Sequence, residues 1–98
     1  MNVQETKSTT LRALSRLRRG DHARVRVIDG GRAMAQRMGM LGIRPGVDVH
    51  VVHGPDMRGA VLLVGGARIA LGRGVIDCIR VEAHPAGAEA AHTREGRS

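Results

Sequence analysis

The chain contains no phenylalanine, tryptophan or tyrosine among its 98 residues, and this absence constrains its fold more than any other feature. Aromatic side chains supply the largest buried areas in most small cores. Without them, the core must be built from Val, Leu, Ile, Met and Ala. A chain of this length forms one small domain and buries roughly 60–65% of its unfolded surface. We therefore expect a single domain packed closely around aliphatic side chains.

The cysteine content and the apolar runs exclude several classes of protein. A single cysteine, Cys78, cannot form an intrachain disulfide, which argues against a disulfide-rich secreted scaffold. Residues 1–10 are polar and lack the apolar segment of a signal peptide. The longest wholly apolar run, residues 60–64, is far shorter than the roughly 20 residues of a membrane helix. The sequence therefore predicts a cytoplasmic protein without direct membrane insertion.

Both ends of the chain are poor in apolar side chains. Residues 1–10 are polar, and residues 83–98 combine Ala, Gly, Pro, Glu and Arg without a large apolar residue. Such segments bury too little apolar surface to offset the entropy lost on ordering. We expect a flexible N-terminus at 1–10, a folded domain at 11–82 and a disordered C-terminal tail at 83–98.

Two segments have the spacing of helices. Residues 11–17 carry a leucine at every third position after a potential capping threonine, which predicts a short N-terminal helix. Met34, Met38 and Leu41 lie at i, i+4 and i+7, which predicts a second helix with these three side chains facing the core. Gly42 follows as a candidate C-cap of that helix.

Apolar alternation and glycine pairs predict about five short strands around the second helix. The strands are expected at 23–27, 47–52, 60–64, 67–71 and 79–81. A tight hairpin is expected at Gly65–Gly66, and a loop at 54–59. Other turns are expected at Gly42, Pro45, Gly46, Gly54, Pro55, Gly72 and Gly74. The pattern predicts a mainly β fold, a small closed barrel with one helix between its first two strands.

The basic charge is confined to one part of the chain. The formal net charge is +7, and residues 12–44 hold nine Arg against Asp21 and Asp29, while the parts on either side are balanced. A local basic surface suits nucleic acid, an anionic membrane surface or an acidic protein face. Small barrels that bind single strands stack bases on aromatic side chains, which this chain lacks. Nucleic acid is therefore the less favoured partner, and a solvated or protein-contacting face is preferred.

Four segments in order resemble the FeoA family of bacterial ferrous iron transport. They are Leu14–Gly20, which is similar to L-x-x-L-x-x-G; Arg37–Gly46, similar to R-L-x-x-L-G-[IL]-x-P-G; Gly54–Pro55, at a family loop; and Gly66–Leu71, similar to G-x-x-[IV]-A-L. The resemblance implies an SH3-like barrel and a non-catalytic accessory role. It implies FeoB, the membrane GTPase and ferrous iron permease, as the partner. Related domains form the C-terminal part of DtxR-type repressors, so a regulator-associated or nucleic-acid-binding module is the alternative.

The iron context directs attention to metal ligands and to catalytic motifs. The His, Cys and Asp residues form no C-x-x-C or H-x-x-x-H motif. His53 and Asp56 are weak candidates for a divalent transition metal, iron or zinc, which a homo-oligomer would have to complete. His50 and His53 are expected on opposite faces of a strand. No motif with a catalytic mechanism is found, so we predict that the protein is not an enzyme.

Exposed methionines are the best candidates for a partner surface. Met40 falls outside the inward stripe of the second helix, and Met57 falls at a loop tip, unless it folds back over an end of the barrel. Flexible, polarisable Met side chains make adaptable apolar contacts. We predict that Met40 and Met57, bordered by Arg37, Arg44 and Arg58, form part of the contact surface for FeoB.

Overall fold

Alternating apolar residues form six strands in a mainly β structure. A computed structural model describes residues 11–83. The strands are β1 (Leu11–Ala13), β2 (His22–Ile28), β3 (Asp48–Asp56), β4 (Gly59–Val64), β5 (Ala67–Gly72) and β6 (Ile79–Ala83). Helix α1 (Gly31–Met40) connects β2 to β3, and the short helix α2 (Arg73–Ile76) connects β5 to β6. The predicted N-terminal segment 1–10 and residues 84–98 of the predicted tail 83–98 lie outside the described residues, whereas Ala83 ends β6.

All strand pairs are antiparallel and form one sheet in the order β1-β6-β2-β3-β4-β5. The architecture is consistent with an SH3-like fold, but the prediction of a closed barrel was wrong. Within residues 11–83, the pairing ends at β1 and β5, which are not joined to each other. Helix α2 contacts β4 and β5 and also the turn that follows β1. The chain after β5 therefore packs as a helix near these ends instead of closing the sheet with another strand.

The core is aliphatic, as the absence of aromatic residues requires. No polar or charged residue is buried within the part of the chain that the structure describes. Most of the core side chains come from the inner face of the sheet, where alternate strand residues point to the same side. The buried residues are Leu14, Leu17, Ala23, Val25, Met38, Ile43, Val49, Val51, Ala60, Leu62, Val64, Leu71, Ile76, Ile79 and Val81.

The N-terminal helix was predicted incorrectly. Residues 11–13 form β1 and pair with β6, and only Leu14–Arg16 form a single 3-10 turn. Leu14 and Leu17 are buried, but Leu11 is 43% exposed on the edge strand. A strand followed by one tight turn is compatible with leucines at every third position, because only two of the three leucines, Leu14 and Leu17, have to reach the core.

The inward stripe of α1 is narrower than predicted. Met38 is buried, but Met34 is only partly buried and Leu41 is 44% exposed. The helix ends at Met40, so Leu41 lies in the turn instead of on a helical face. Gly42 has a φ of +87° in that turn, and the N–H of Ile43 donates to the carbonyl of Met38. Pro45 and Gly46 form the predicted turn before β3.

The two β-hairpins differ in how closely they follow the sequence pattern. Gly65 and Gly66 have φ values of +57° and +88° and connect β4 to β5, as predicted for a two-residue turn with left-handed residues. The loop predicted at 54–59 is shorter. Strand β3 continues through Gly54 and the cis-bonded Pro55 to Asp56, and two register shifts accommodate them. Only residues 57–58 lie outside the strands.

The turn predicted after β5 is instead the start of α2. Gly72 ends β5 and precedes the helix with φ −73° and ψ 165°, and Gly74 lies within the helix. Neither glycine has a positive φ. The spacing of glycines around Arg73 indicated a chain reversal, but a single helical turn also reverses the chain, and it buries Ile76.

Candidate functional site

The C-terminal end of α1 presents an exposed methionine between arginines. Met40 is 81% exposed, and Arg37 and Arg44 lie on the surface beside it in the sequence. Arg44 donates from Nη2 to the carbonyl oxygen of Gly39 at 2.9 Å. The same carbonyl also accepts from the N–H of Gly42 at 3.0 Å, so the Arg44 contact adds a cation at the helix end where the helix dipole is negative. The helix end therefore holds a positive charge next to an apolar side chain.

The tip of the β3–β4 hairpin presents a second exposed methionine. Met57 is 87% exposed, which rules out its folding back over the sheet, and Arg58 follows it at the surface. The hairpin is held by Asp56, whose Oδ1 accepts hydrogen bonds from the N–H of Arg58 at 2.8 Å and of Gly59 at 3.2 Å. The two tip residues are thus displayed on a hydrogen-bonded turn.

The ionisation of Asp56 is coupled to this turn. The N–H of Arg58 is the main cause that lowers the pKa of Asp56 below its ordinary value, despite some desolvation that opposes it. The N–H of Gly59 and the positive charges of Arg58 and His53 act in the same direction. The ionised carboxylate is therefore the form that holds the hairpin tip.

The two methionine patches, Met40 with Arg37 and Arg44 and Met57 with Arg58, precede and follow β3 along the chain. The turn after α1 leads into the start of β3 at Asp48, whereas Met57 directly follows its end at Asp56. A nine-residue strand spans roughly 30 Å when straight and less when bent by bulges. The sequence predicted one surface. The structure puts these residues on two different elements, the end of α1 and the β3–β4 hairpin, and their union in one contact surface stays a prediction.

The candidate metal ligands do not form a complete site. His53 and Asp56 line one shallow depression of about 240 Å³ at the β3–β4 hairpin. No group of three or more His, Cys, Asp or Glu residues converges within residues 11–83. Zinc sites in proteins use at least three protein ligands, and one oxygen of Asp56 already accepts two backbone hydrogen bonds. The donor set of residues 11–83 alone therefore does not fit a transition metal.

The structure brings together histidines that sequence reasoning separated. His53 pairs with Val61 and His50 pairs with Leu63, two residues away, so the register shift puts both histidines on the same face. His22 pairs with His50 across β2 and β3, and their rings stack at 4.1 Å with an interplanar angle of 9°. Ring nitrogens in parallel planes do not point at one ion, so the stack is a packing contact in this geometry. A one-residue bulge carries no signal in the sequence pattern.

Two arginines of the basic segment 12–44 form ion pairs with carboxylates that are distant in the sequence. Arg24 Nε lies 3.0 Å from Asp48 Oδ1, and this hydrogen bond raises the pKa of Arg24. Arg26 Nε lies 2.7 Å from Glu82 Oε1. Both arginines belong to the basic segment 12–44, whose charge suggested a nucleic acid partner. Their pairing makes them part of the sheet surface instead of a polyanion-binding stripe.

No helix in residues 11–83 has both the length and the apolar character needed to cross a membrane.

Comparison with known proteins points to one family. A family model for the FeoA domain matches residues 12–83. The crystal structure of an iron uptake regulatory protein (FeoA) superposes with a TM-score of 0.71 at 30% identity, over 76% of this chain and 99% of that protein. Iron(II) transport protein A from Clostridium thermocellum gives a TM-score of 0.65 at 28% identity, over 74% of this chain and 45% of that one. A comparison with curated proteins finds no match.

The fold also occurs in larger regulators. A manganese-dependent transcriptional repressor superposes with a TM-score of 0.69 at 23% identity, over 78% of this chain and 43% of the repressor. At that identity the likeness shows the fold alone. The matched part of this chain thus spans less than half of that repressor.

Proposed function

The chain belongs to the FeoA family, which is linked to ferrous iron transport, and we propose that it is a non-enzymatic accessory protein of ferrous iron uptake. It acts by protein contact with FeoB, the membrane GTPase that carries ferrous iron. It works in the cytoplasm and reaches the inner face of the membrane through this partner. The observation that carries the proposal is the exposure of Met57, 87% accessible at the tip of a hydrogen-bonded hairpin.

The chemistry of the hairpin tip supports a contact role. A large apolar side chain that is almost fully exposed stays in unfavourable contact with water unless a partner covers it. Methionine adapts to irregular apolar surfaces, and arginine is enriched in protein interfaces. Met57 and Arg58 supply both, and Met40 with Arg37 and Arg44 repeats the combination at the end of α1. In the family an acidic residue often stands where Met40 stands, so this chain offers a more apolar contact there.

The arrangement of metal-ligating side chains in residues 11–83 fits an accessory role. FeoA-family domains are accessory modules, and the described residues offer His53 and Asp56 without a third metal ligand. Ion transport therefore belongs to the partner. The two arginines that suggested nucleic acid binding, Arg24 and Arg26, are held by Asp48 and Glu82.

Co-purification with full-length FeoB tests the proposal. Met57→Glu places a charge in the contact, and we expect it to reduce the FeoB retained by the tagged chain at least about tenfold, which corresponds to roughly 1.4 kcal/mol of binding free energy. Ala67→Glu adds the same charge at the other, β4–β5 hairpin and should retain FeoB normally. Undiminished binding by a folded Met57→Glu variant contradicts the proposed contact.

A further inference from the structure

A basic surface separate from the two methionine patches lies beside the edge strand β1, and we call it the basic cleft. It is a depression of about 860 Å³ formed by β1, the 3-10 turn, α2 and β6. Its charged lining residues are Arg12, Arg16, Arg73, Arg80 and Asp77, four cations against one anion. Arg73 and Arg80 come from a stretch of sequence that is balanced in charge, so composition gave no indication of this cluster.

The four arginines of the cleft differ in whether a carboxylate lies within ion-pair distance. Among residues 11–83, Arg12 and Arg16 have no carboxylate within ion-pair distance. Arg73 is held by two contacts: its Nε lies 3.5 Å from Asp77 Oδ1, and its Nη1 donates to the carbonyl of Asp56 at 3.0 Å. These contacts fix Arg73 in place but leave further N–H donors on its guanidinium unused, since each guanidinium has five.

Arg80 is held in the same way from the other side of the cleft. Its Nε lies 3.0 Å from Asp29 Oδ2, and its side chain remains 44% exposed. The cleft therefore has two positioned guanidinium groups, from α2 and β6, and two that have no anionic partner, Arg12 and Arg16. Guanidinium groups bind carboxylates in paired, charge-assisted hydrogen bonds.

The backbone next to the cleft is also open to a partner. Strand β1 is the end of the sheet and pairs only with β6 within the described residues. All three of its residues line the cleft. Arg80 of the paired strand β6 lines it as well, so the cleft borders β1, whose other edge has no partner strand within residues 11–83. An exposed edge of this kind accepts an added strand from another chain.

We infer that the basic cleft binds an extended acidic segment of a partner protein, which adds to the edge of β1 while its carboxylates meet Arg12, Arg16 and Arg73. The arrangement favours protein over nucleic acid because a strand edge offers hydrogen bonds to a peptide backbone. In addition, the chain has no aromatic side chain on which bases stack. The cleft is distinct from the methionine patches, and its occupant need not be FeoB.

Fluorescence anisotropy with synthetic probes tests this inference on the full chain. The probe is a labelled octapeptide of alternating Glu and Val, and the comparison peptide has Gln in place of Glu. At 0.15 M salt we expect the Glu peptide to bind and the Gln peptide to bind at least about tenfold more weakly, since several charge-assisted hydrogen bonds are lost. A Glu peptide methylated on alternate backbone nitrogens should also bind more weakly, because it cannot pair with β1.

Matched charge reversals identify the site. The double variant Arg12→Glu/Arg16→Glu should weaken binding of the Glu peptide at least about tenfold. Arg18→Glu/Arg19→Glu changes the net charge by the same amount at neighbouring residues that do not line the cleft, and should weaken it less than about threefold. If the first variant does not show the wild-type thermal unfolding curve, Arg12→Gln/Arg16→Gln replaces it.

Other outcomes overturn the inference. An equal loss in both double variants shows general charge attraction instead of a site. Tighter binding of a single-stranded dodecanucleotide, lost in Arg12→Glu/Arg16→Glu, assigns the cleft to nucleic acid. Displacement of the peptide by inorganic phosphate, but not by chloride at the same ionic strength, assigns it to a small oxyanion. Equal binding of the methylated peptide excludes strand addition.

Discussion

Individual residues in this chain are constrained mainly where strands approach each other closely. Gly59 begins β4 opposite Gly72, with a φ of +134°. A Cβ on Gly59 would lie 1.9 Å from the carbonyl oxygen of Leu71 and 2.8 Å from the Cα of Gly72, both of which are backbone atoms. A Cβ on Gly72 would meet nothing within 4 Å. Of two glycines that face each other, only one is required by the structure.

The Gly59–Gly72 pair therefore gives a matched test of the hairpin. We expect Gly59→Ala to lower the free energy of unfolding by more than about 3 kcal/mol, because the β4–β5 backbone would have to separate. Gly72→Ala should change it by less than about 1 kcal/mol. Chemical denaturation of both variants measures the difference, and equal effects would show that the strands are not as close as described.

The carboxylate of Asp56 makes the hairpin tip sensitive to acid. An unfolded aspartate has a pKa of about 3.9, and the folded value is lowered mainly by the N–H of Arg58. The ionised form thus stabilises the folded state above that pH, and this stabilisation is lost as the pH falls through the folded pKa. Protonation should loosen the turn that displays Met57.

Urea denaturation at pH 7 and pH 3 measures this contribution. Asp56→Asn should be less stable than the wild type at pH 7, and the difference should narrow at pH 3, where the wild type is itself partly protonated. Asp77→Asn is the control, because the Asp77 carboxylate pairs with the side chain of Arg73 and not with a backbone N–H of the turn. If the stability difference between Asp56→Asn and the wild type were the same at pH 7 and at pH 3, the proposed role of the Asp56 carboxylate in the turn would be contradicted.

At the scale of elements, α1 shows which features of a helix the spacing of apolar residues predicts and which it does not. The spacing of Met34, Met38 and Leu41 correctly indicates a helix, but it does not determine where the helix ends. Because the helix stops at Met40, Leu41 turns outward and Ile43 enters the core. One side chain beyond the helix thus replaces the expected third member of the stripe.

Truncation of these side chains should reflect their burial. Met38→Ala is expected to cost about 2–5 kcal/mol, because Met38 is 2% exposed and its removal leaves a cavity. Leu41→Ala should cost less than about 1.5 kcal/mol, since Leu41 is 44% exposed. Thermal and chemical unfolding of the two variants compare them directly. A larger loss of stability for Leu41→Ala than for Met38→Ala would show that Leu41 is buried with Met38, as the sequence predicted.

At the scale of the whole molecule, alternation and glycine pairs were enough to predict five of the six strands and the aliphatic core. Strand β1 was missed because a three-residue edge strand has no periodicity of its own and is defined by its pairing with β6. The bulge that aligns His50 with His53 and the clustering of Arg12 with Arg73 depend on register and on long-range packing. Such features follow from the assembled sheet and have no local signal.

For the predicted contact residues, too, one feature could be predicted from the sequence and another could not. Exposure of Met40 and Met57 was predictable, because each falls outside an apolar pattern or at a turn. Their position relative to each other was not, because it depends on the path of the chain.

Hydrogen–deuterium exchange of the full chain, alone and with full-length FeoB in detergent, tests the central claim most directly. The account predicts slower exchange with FeoB in peptides that cover the end of α1, residues 36–44, and the tip of the β3–β4 hairpin, residues 54–60. The β4–β5 hairpin at residues 64–68 should be unchanged. Unaltered exchange at both methionine patches, with FeoB in saturating excess, would contradict the account.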